Sequence, residues 1–395
     1  MDKEMIYFDN ASSTMMSAEV LNSMLPVMNG VYGNTEESNP FGRLANKYIA
    51  DSKKIIAETI NAKPKEVYFT SSGSESNSWA LIGIANANRN KGNHIIVSVI
   101  EHESILNACQ YLENDGFEVS YLSVDKNGFV NFTELLRAIK SNTILISIMA
   151  ANNEIGTIQN IKAISQTAHE KGIIFHTDAI QLYGNMDLDV EDLGIDAMSI
   201  SGHKIYGPTG VGALYVSDKV KINPIIFGEN QDEYKRGGTP NTSGIVGLAK
   251  ACEIAYRDLR TNNHKVRGLS EYFITNITSQ IENIKINANI RQKVPHIISI
   301  TFVGVNAESL VSLLDMQNII VSASLNVHKK SRCLESIGLD NDNASCTVRF
   351  SLGKNNSYEE IDKAIALIAQ AVEELREFSS TYGMKIRKRK GDKNV

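Results

Sequence analysis

The sequence predicts an α/β protein in which a mostly parallel, helix-covered sheet forms a large unit and a smaller α+β unit follows it. Three observations predict this. From about Glu66 to Tyr215, short β-rich runs alternate with segments of helical period, the pattern of strand, crossover helix and parallel strand. After the helical segment "SGIVGLAKACEIAYRDL" the texture changes to isolated strands separated by longer helices. The polar residues of the first region collect just past its strands, where open sheets of this kind bind ligands.

Seven runs are the candidate strands of the large sheet, in order "EVYFT", "HIIVSVI", "FEVSYLSV", "TILISIMA", "GIIFHTDA", "AMSIS" and "GALYVS". Between the fourth and fifth, Ile161, Ile164 and Ala168 share one helical face, and Gly172 after Lys171 marks the helix stop. Beyond the large unit, "HIISITFV", "NIIVSAS" and "TVRFSLG" read as strands. The last helix opens with Ser357 and Glu360 as a capping box and repeats Ile361, Ile365, Ile368, Val372 and Leu375 along one stripe, the signature of a packing helix. We place the large unit at 15–255, the smaller one at 1–14 with 256–380, and a basic, flexible tail at 381–395. The tail "MKIRKRKGDKNV" reads as a solvated end, not as a nucleic-acid arm.

The chain has 395 residues, 42% hydrophobic and 22% charged, enough for two cores. A net charge of -5 gives no electrostatic reason to expect nucleic acid or anionic lipid as partner, so a small-molecule substrate is expected. No apolar run approaches the roughly 20 residues needed to cross a bilayer, and "MDKEMIYFDN" lacks the features of a signal peptide, so a cytoplasmic location is expected. Cys109, Cys252, Cys333 and Cys346 lack metal-ligand or redox spacing; free thiols and no metal site are expected.

The strand ends hold the chemistry. "IIFHTDAIQ" ends in Asp178 followed by Gln181, and "SISGHK" in Ser201, His203 and Lys204. "YFTSSGSES" leaves its strand through a Ser/Gly turn into a helix whose start holds Gly73 and Ser74, while "SVIEHES" and "IMAANNEIG" place His102 and Asn153 just past theirs. Singly, each has a plainer reading as a turn, cap or satisfied polar residue. Together they meet the needs of pyridoxal phosphate: a lysine for a Schiff base, an acidic partner for the pyridine nitrogen, and a helix N-terminus for the phosphate. A lysine is costly to bury unless it is paired or reactive, which gives Lys204 its use. The glycines of "GPTGVG" follow the lysine, so the glycine-then-lysine order of a nucleotide phosphate loop is absent.

The order of these motifs resembles the cysteine desulfurase family, class V aminotransferase-like enzymes of fold type I, from "IYFDNASST" to "TVRFSLG"; "SGHKIYGPTGVGALY", "NNEIG", "HTDAIQ" and "RFSLG" carry the likeness. The resemblance implies that Lys204 forms the Schiff base, that Asp178 faces the pyridine nitrogen, and that His102 stacks on the ring and assists proton transfer. It implies Asn153 and Gln181 beside the phenolic oxygen, and Gly73, Ser74, Ser201 and His203 at the phosphate, joined by Thr239 of "RGGT" from a second subunit. Arg349 and Asn34 match positions expected to bind the substrate carboxylate. A homodimer acting on L-cysteine, with a sulfur-acceptor protein as a further partner, is what the family implies.

Three stretches depart from the family pattern. "VSASLNVHKKSRCLESIGL" is shortened around 324–332 and lacks the loop cysteine that takes up sulfur; Cys333 falls in a predicted helix and reads as a structural thiol rather than a reactive one. "GENQDEYKRGGT" and "NTEESNPFG" differ near substrate entry and the partner side of the site. The first expectation is therefore a desulfurase releasing alanine and transferable sulfur or sulfide. The alternatives are a lyase, selenocysteine lyase, epimerase or aminotransferase on another amino acid, or a scaffold of reduced activity.

Overall fold

The computed structural model describes residues 5–228, 235–288, 291–323 and 331–377. The tail at 381–395, most of the altered stretch at 324–332 and part of "GENQDEYKRGGT" lie outside the described residues. The strands in chain order are β1 (Ile6–Tyr7), β2 (Val67–Thr70), β3 (His94–Ser98), β4 (Glu118–Leu122), β5 (Thr143–Ser147), β6 (Ile174–Asp178), β7 (Ala197–Ser201), β8 (Gly212–Val216), β9 (Ile284–Ile286), β10 (Ile297–Phe302), β11 (Ile319–Ile320), β12 (Ser322–Ala323) and β13 (Thr347–Ser351).

The seven runs read from the sequence form one seven-stranded sheet, ordered β2-β8-β7-β6-β5-β3-β4. Pairings among β3 to β7 are parallel, and β8 alone runs against its neighbours β7 and β2. Helices cover both faces, which is why inner strands such as β3 and β5 read as near-continuous apolar runs, while the edge strand β4 keeps polar positions. Ile96, Ile146, Phe175, Met198, Ile200 and Tyr215 face one hydrophobic cluster, while Ile95, Val97, Leu145, Ala197, Leu214 and Val216 face the other, with Trp79 and Ile84 of the helix Gly73–Ala87.

The helix Ile161–Glu170 buries Ile161, Ile164 and Ala168, and Gly172 follows it at φ +68, a left-handed position that favours glycine. A separate four-stranded antiparallel sheet, ordered β12-β13-β10-β9, supports another core, and β1 pairs in parallel with β11. Ile6 and Phe8 therefore join Leu269, Phe273, Phe302 and Phe350 in that core. The helix Tyr358–Glu377 seats Ile361, Ile365, Ile368 and Val372 there. Its capping box is formed in both directions: Glu360 N–H donates to Ser357 Oγ (3.2 Å), and Ser357 N–H to Glu360 Oε2 (3.1 Å).

The N-terminal segment 9–14 bridges the two cores. Asn10 N–H donates to the Ser351 carbonyl at the end of β13, and Thr14 N–H to the His203 carbonyl just past β7. This strap brings residues 9–12 against the carboxyl ends of the parallel strands.

Candidate active site

A cavity of about 400 Å³ opens at the carboxyl ends of the parallel strands. Its walls come from the segments that follow β2, β3, β5, β6 and β7, from the strap at Ala11 and Ser12, and from Arg349 of β13. Lys204, Asp178, His102, Gly73, Ser74, Asn153, Gln181, Ser201, His203 and Arg349 all line it. Residues up to 338 positions apart in sequence, from Ala11 to Arg349, thus share one concave site.

Lys204 ends the short turn Gly202–Lys204 that β7 runs into. Its Nζ donates to the carbonyls of Ala11 (2.7 Å) and Ser12 (2.5 Å). Burial, with the Arg349 charge adding to it, pushes the amine down from 10.5 to about 8. A neutral, nucleophilic amine is thereby accessible near neutral pH. The same burial, helped by Lys204, lowers His203 to about 4, so its imidazole is uncharged.

Asp178 closes β6, is only 4% exposed, and forms no ion pair with the described residues. Its carboxylate accepts from Asn77 Nδ2 (2.7 Å) and Ile180 N–H (2.9 Å). Burial raises its pKa, opposed by the nearby His102 and Lys204 and by these two hydrogen bonds. Two residues earlier on the same strand, the buried His176 bridges Ser147 Oγ of β5 (2.8 Å) and Ser199 Oγ of β7 (3.0 Å), a rung that ties three strands together beneath Asp178. Burial takes His176 down to about 3, so the rung is neutral.

The third wall is the start of the helix Gly73–Ala87. Ser72 caps it by accepting from Glu75 N–H (3.1 Å), which leaves the first-turn N–H groups of Gly73 and Ser74 for a ligand. A Cβ on Gly73 would stand 2.2 Å from Ile180 Cδ1, so a side chain there would collide with the cavity floor. Glu75, also in this turn, is held by Arg236 through Nε (2.9 Å) and Nη2 (3.2 Å).

Arg349 projects from β13 with Nη1 on the Asn153 carbonyl (2.9 Å) and Nη2 on Asp9 (2.9 Å) and Ser12 Oγ (2.5 Å); its buried Nε has no partner. Gln181 donates to the Ala11 carbonyl (2.9 Å) and faces His296 Nε2 across 3.2 Å.

Three sequence candidates lie elsewhere. Thr239 is exposed and lines a separate cavity of about 660 Å³ with Thr35, Glu36 and Arg236. Asn34 is exposed in the segment between the helices Ala18–Gly30 and Pro40–Glu58, where its Oδ1 accepts from Glu36 N–H (3.2 Å). Cys333 sits in the helix Arg332–Ser336, 2% exposed among Ile100, Met149, Ile155 and Leu334, with Sγ 3.4 Å from Asn152 Oδ1. Sequence reasoning missed Asp9, Ala11, Ser12, Asn77, Ser104, His176 and His296. Only the strap residues had a signal, since "FDNASST" is a polar run after a strand-like start.

These residues fit pyridoxal phosphate on their own chemistry. A buried carboxylate outside any ion pair of the described residues can face a pyridine nitrogen, free N–H groups at a helix start can take a phosphate, and an amine with lowered basicity can take an aldehyde. The fold and the cavity define a fold-type I pyridoxal phosphate enzyme. Comparison with known proteins agrees: residues 6–364 match the aminotransferase class-V family, and the chain belongs to it. The chain is 42% identical over 386 residues to a protein of Clostridium botulinum named cysteine desulfurase IscS, covering 95% of this chain and 96% of that one. Among solved structures, one called NifS-like protein superposes with a TM-score of 0.89 at 32% identity, covering 94% of this chain and all of that one. Another, described as SspA in complex with cysteine, gives 0.79 at 34% identity, covering 89% and 100%.

Proposed function

We propose that this chain is a cysteine desulfurase: a pyridoxal phosphate enzyme that breaks the carbon–sulfur bond of L-cysteine and leaves alanine. The observation that carries the reading is the convergence of Lys204, Asp178, the Gly73–Ser74 helix start and Arg349 on one cavity. Pyridoxal phosphate, when bound, supplies an aldehyde for amino groups and an electron sink that acidifies the substrate α-carbon. Lys204 would hold the cofactor aldehyde, and its lowered basicity suits the amine to move the substrate α-proton. Asp178 would keep the pyridine nitrogen protonated, and Asn77 fixes the carboxylate in place. Gly73, Ser74, Ser201 and His203 would hold the phosphate, Asn153 and Gln181 the phenolic oxygen, and His102 would stack on the ring. Arg349 brings a positive charge for the substrate carboxylate, with the unpartnered Nε in reserve.

Cys333 is walled off by apolar side chains and burial raises its thiol well above the ordinary range, so the sulfur passes to an external thiol or to a thiol of a partner protein, and excess thiol then releases it as sulfide with formation of a disulfide. Transfer balances as cysteine plus thiol giving alanine plus persulfide.

The active form we propose is a cytoplasmic homodimer. Leu21, Leu25 and Met28 form an exposed stripe on the helix Ala18–Gly30, continued by Tyr32 stacked on Phe41 at 4.9 Å. The cavity that holds Thr239 is also lined by Thr35 and Glu36, next in sequence to Asn34; in the dimer we assign Thr239 to the partner's phosphate site and Asn34 to the substrate side. Among the described residues, no helix is long and apolar enough to cross a membrane. We assign 15–255 to the cofactor-binding unit and 1–14 with 256–380 to the smaller one.

The test is product analysis with cysteine and a thiol reductant. Equal alanine and sulfide are expected; pyruvate in place of alanine would redefine the enzyme as an eliminating lyase, and no turnover of any thiol amino acid would remove the reading.

A further inference from the structure

His102 has an unusual second task. It caps the helix Glu103–Asn114, with Nδ1 accepting from the Ser104 backbone N–H at 3.2 Å, a job ordinarily done by serine, threonine, aspartate or asparagine. A backbone N–H can only donate, so Nδ1 is the nitrogen that carries the lone pair, and the ring proton sits on Nε2. Nε2 has no partner among the described residues.

A second contact repeats the instruction. Ser104 Oγ lies 2.8 Å from the same Nδ1 and 3.0 Å from Asn77 Nδ2. The other hydrogen of that amide goes to Asp178 Oδ2 at 2.7 Å. Turning the amide over would set its oxygen against the Asp178 carboxylate, so the nitrogen faces both neighbours. Ser104 Oγ therefore accepts from Asn77, and its own hydrogen is left for His102. Donation runs one way along the chain, from Asn77 to Ser104 to His102, and Asn77 is anchored at its origin by Asp178. Asn77 Oδ1 is buried without a partner, so the amide has no competing bond to turn toward.

We infer that Ser104 is a positioning residue that couples Asp178 and Asn77 to His102 and holds His102 in the tautomer protonated at Nε2. The inference rests on the desulfurase reading for its effect on turnover, but not for the tautomer. The ring offers its cavity edge as a hydrogen-bond donor, not as a base. Removal of the α-proton then belongs to the Lys204 amine, and His102 serves by holding a proton toward the substrate or the ring. The coupling also links the residue behind the pyridine nitrogen to the one over its face.

The experiment is nitrogen NMR of the cofactor-loaded enzyme labelled with 15N-histidine, with His102 assigned from the His102→Gln spectrum. The wild type should show a lone-pair resonance for Nδ1 and a hydrogen-bearing Nε2. Ser104→Ala keeps the backbone N–H on Nδ1 but loses the shorter hydroxyl contact, so both resonances should move part of the way toward their mean, and kcat should fall about threefold to tenfold with KM nearly unchanged, the effect of one lost hydrogen bond. Ser104→Thr, which keeps the hydroxyl, should restore the resonances and kcat. A protonated Nδ1 in the wild type, or Ser104→Ala resonances superimposable on the wild type, would overturn the proposal. A wild type with the expected tautomer that leaves cysteine untouched would instead count against the desulfurase reading alone.

Discussion

The strand-end cavity around Lys204 and the apolar niche around Cys333 each withdraw a nucleophile-bearing side chain from water, with opposite consequences. Burial favours the uncharged form of any group. For lysine the uncharged form is the nucleophile, and the amine is brought to about 8. For cysteine the uncharged form is inert, and the thiol is pushed well above its ordinary range by burial and by Glu154 nearby. One cavity is open and bounded by polar side chains; the niche is closed by Ile100, Met149, Ile155, Leu334 and Ile337. The difference teaches that burial alone does not mark a reactive residue: its sign must be worked out for each group.

The comparison is broken most directly at Lys204. Lys204→Ala should lose cysteine turnover by at least about 10³-fold while the protein still folds, because the covalent partner we propose for the cofactor is gone. Borohydride reduction of the wild type followed by peptide mass mapping should place the cofactor on position 204. Retained turnover in the variant would show that the cavity is not the reacting site. Asp178→Asn should follow, at about 10²-fold in kcat: the substitution keeps the shape and loses the charge that holds the pyridine nitrogen protonated. Turnover measured beside near-ultraviolet absorbance would separate weakened chemistry from weakened cofactor binding.

The pH dependence sharpens the lysine half. Lys204 has a folded-state pKa near 8 against 10.5 for an exposed lysine, so the folded cofactor-free protein binds fewer protons than the unfolded chain between those values. Stability attributed to this group is lowest below about pH 8 and recovers as pH rises toward 10.5. The gap between about 8 and 10.5 corresponds to about 3 kcal/mol. Cofactor-free Lys204→Met should therefore be the more stable protein at pH 7, and its advantage should shrink from pH 8 upward in denaturant titrations. An advantage that stays constant with pH would break the assignment.

Much of the fold was legible in the sequence because its signals are local. Each of the seven strands lies within a short β-rich run, and the capping box of Ser357 and Glu360 spans four residues, so a short window contains the whole physical cause. The strand-end candidates were legible for a related reason: a parallel sheet gathers whatever follows its strands. The partners of those candidates were not. Lys204 is held by carbonyls 192 and 193 residues away, Arg349 pairs with Asp9 across 340, and Asn77 reaches Asp178 across 101. Backbone carbonyls carry no residue-type signature, and an asparagine inside a helix looks like any other polar position. Thr239 and Asn34 were named through family likeness, and in a single chain they lie away from the Lys204 cavity.

Arg349 tests the substrate side. Arg349→Gln removes the charge but keeps some hydrogen bonding, and it should raise KM for cysteine about tenfold with a smaller fall in kcat. The ion pair with Asp9 is almost buried, so its loss leaves the Asp9 carboxylate without its cation; thermal unfolding should be measured beside the kinetics. If KM stays unchanged while stability falls, Arg349 serves the strap and not the substrate.

The smallest expected effect falls on the other half of the comparison. Cys333→Ser puts a hydroxyl where a thiol sits among apolar side chains, with Asn152 Oδ1 at 3.4 Å from the present Sγ as the nearest acceptor. Burying that hydroxyl in imperfect geometry should cost about 1 kcal/mol of stability. Alanine formation should remain within about twofold of the wild type, because a thiol held in its protonated form contributes no nucleophile. Reaction of Cys333 with an alkylating reagent should likewise be slow in the native protein and become fast only as denaturant opens the helix Arg332–Ser336. A tenfold loss of alanine formation at unchanged stability would reverse the argument: Cys333 would then have to leave its niche during turnover, and the closed helix would be one of two states that the enzyme visits.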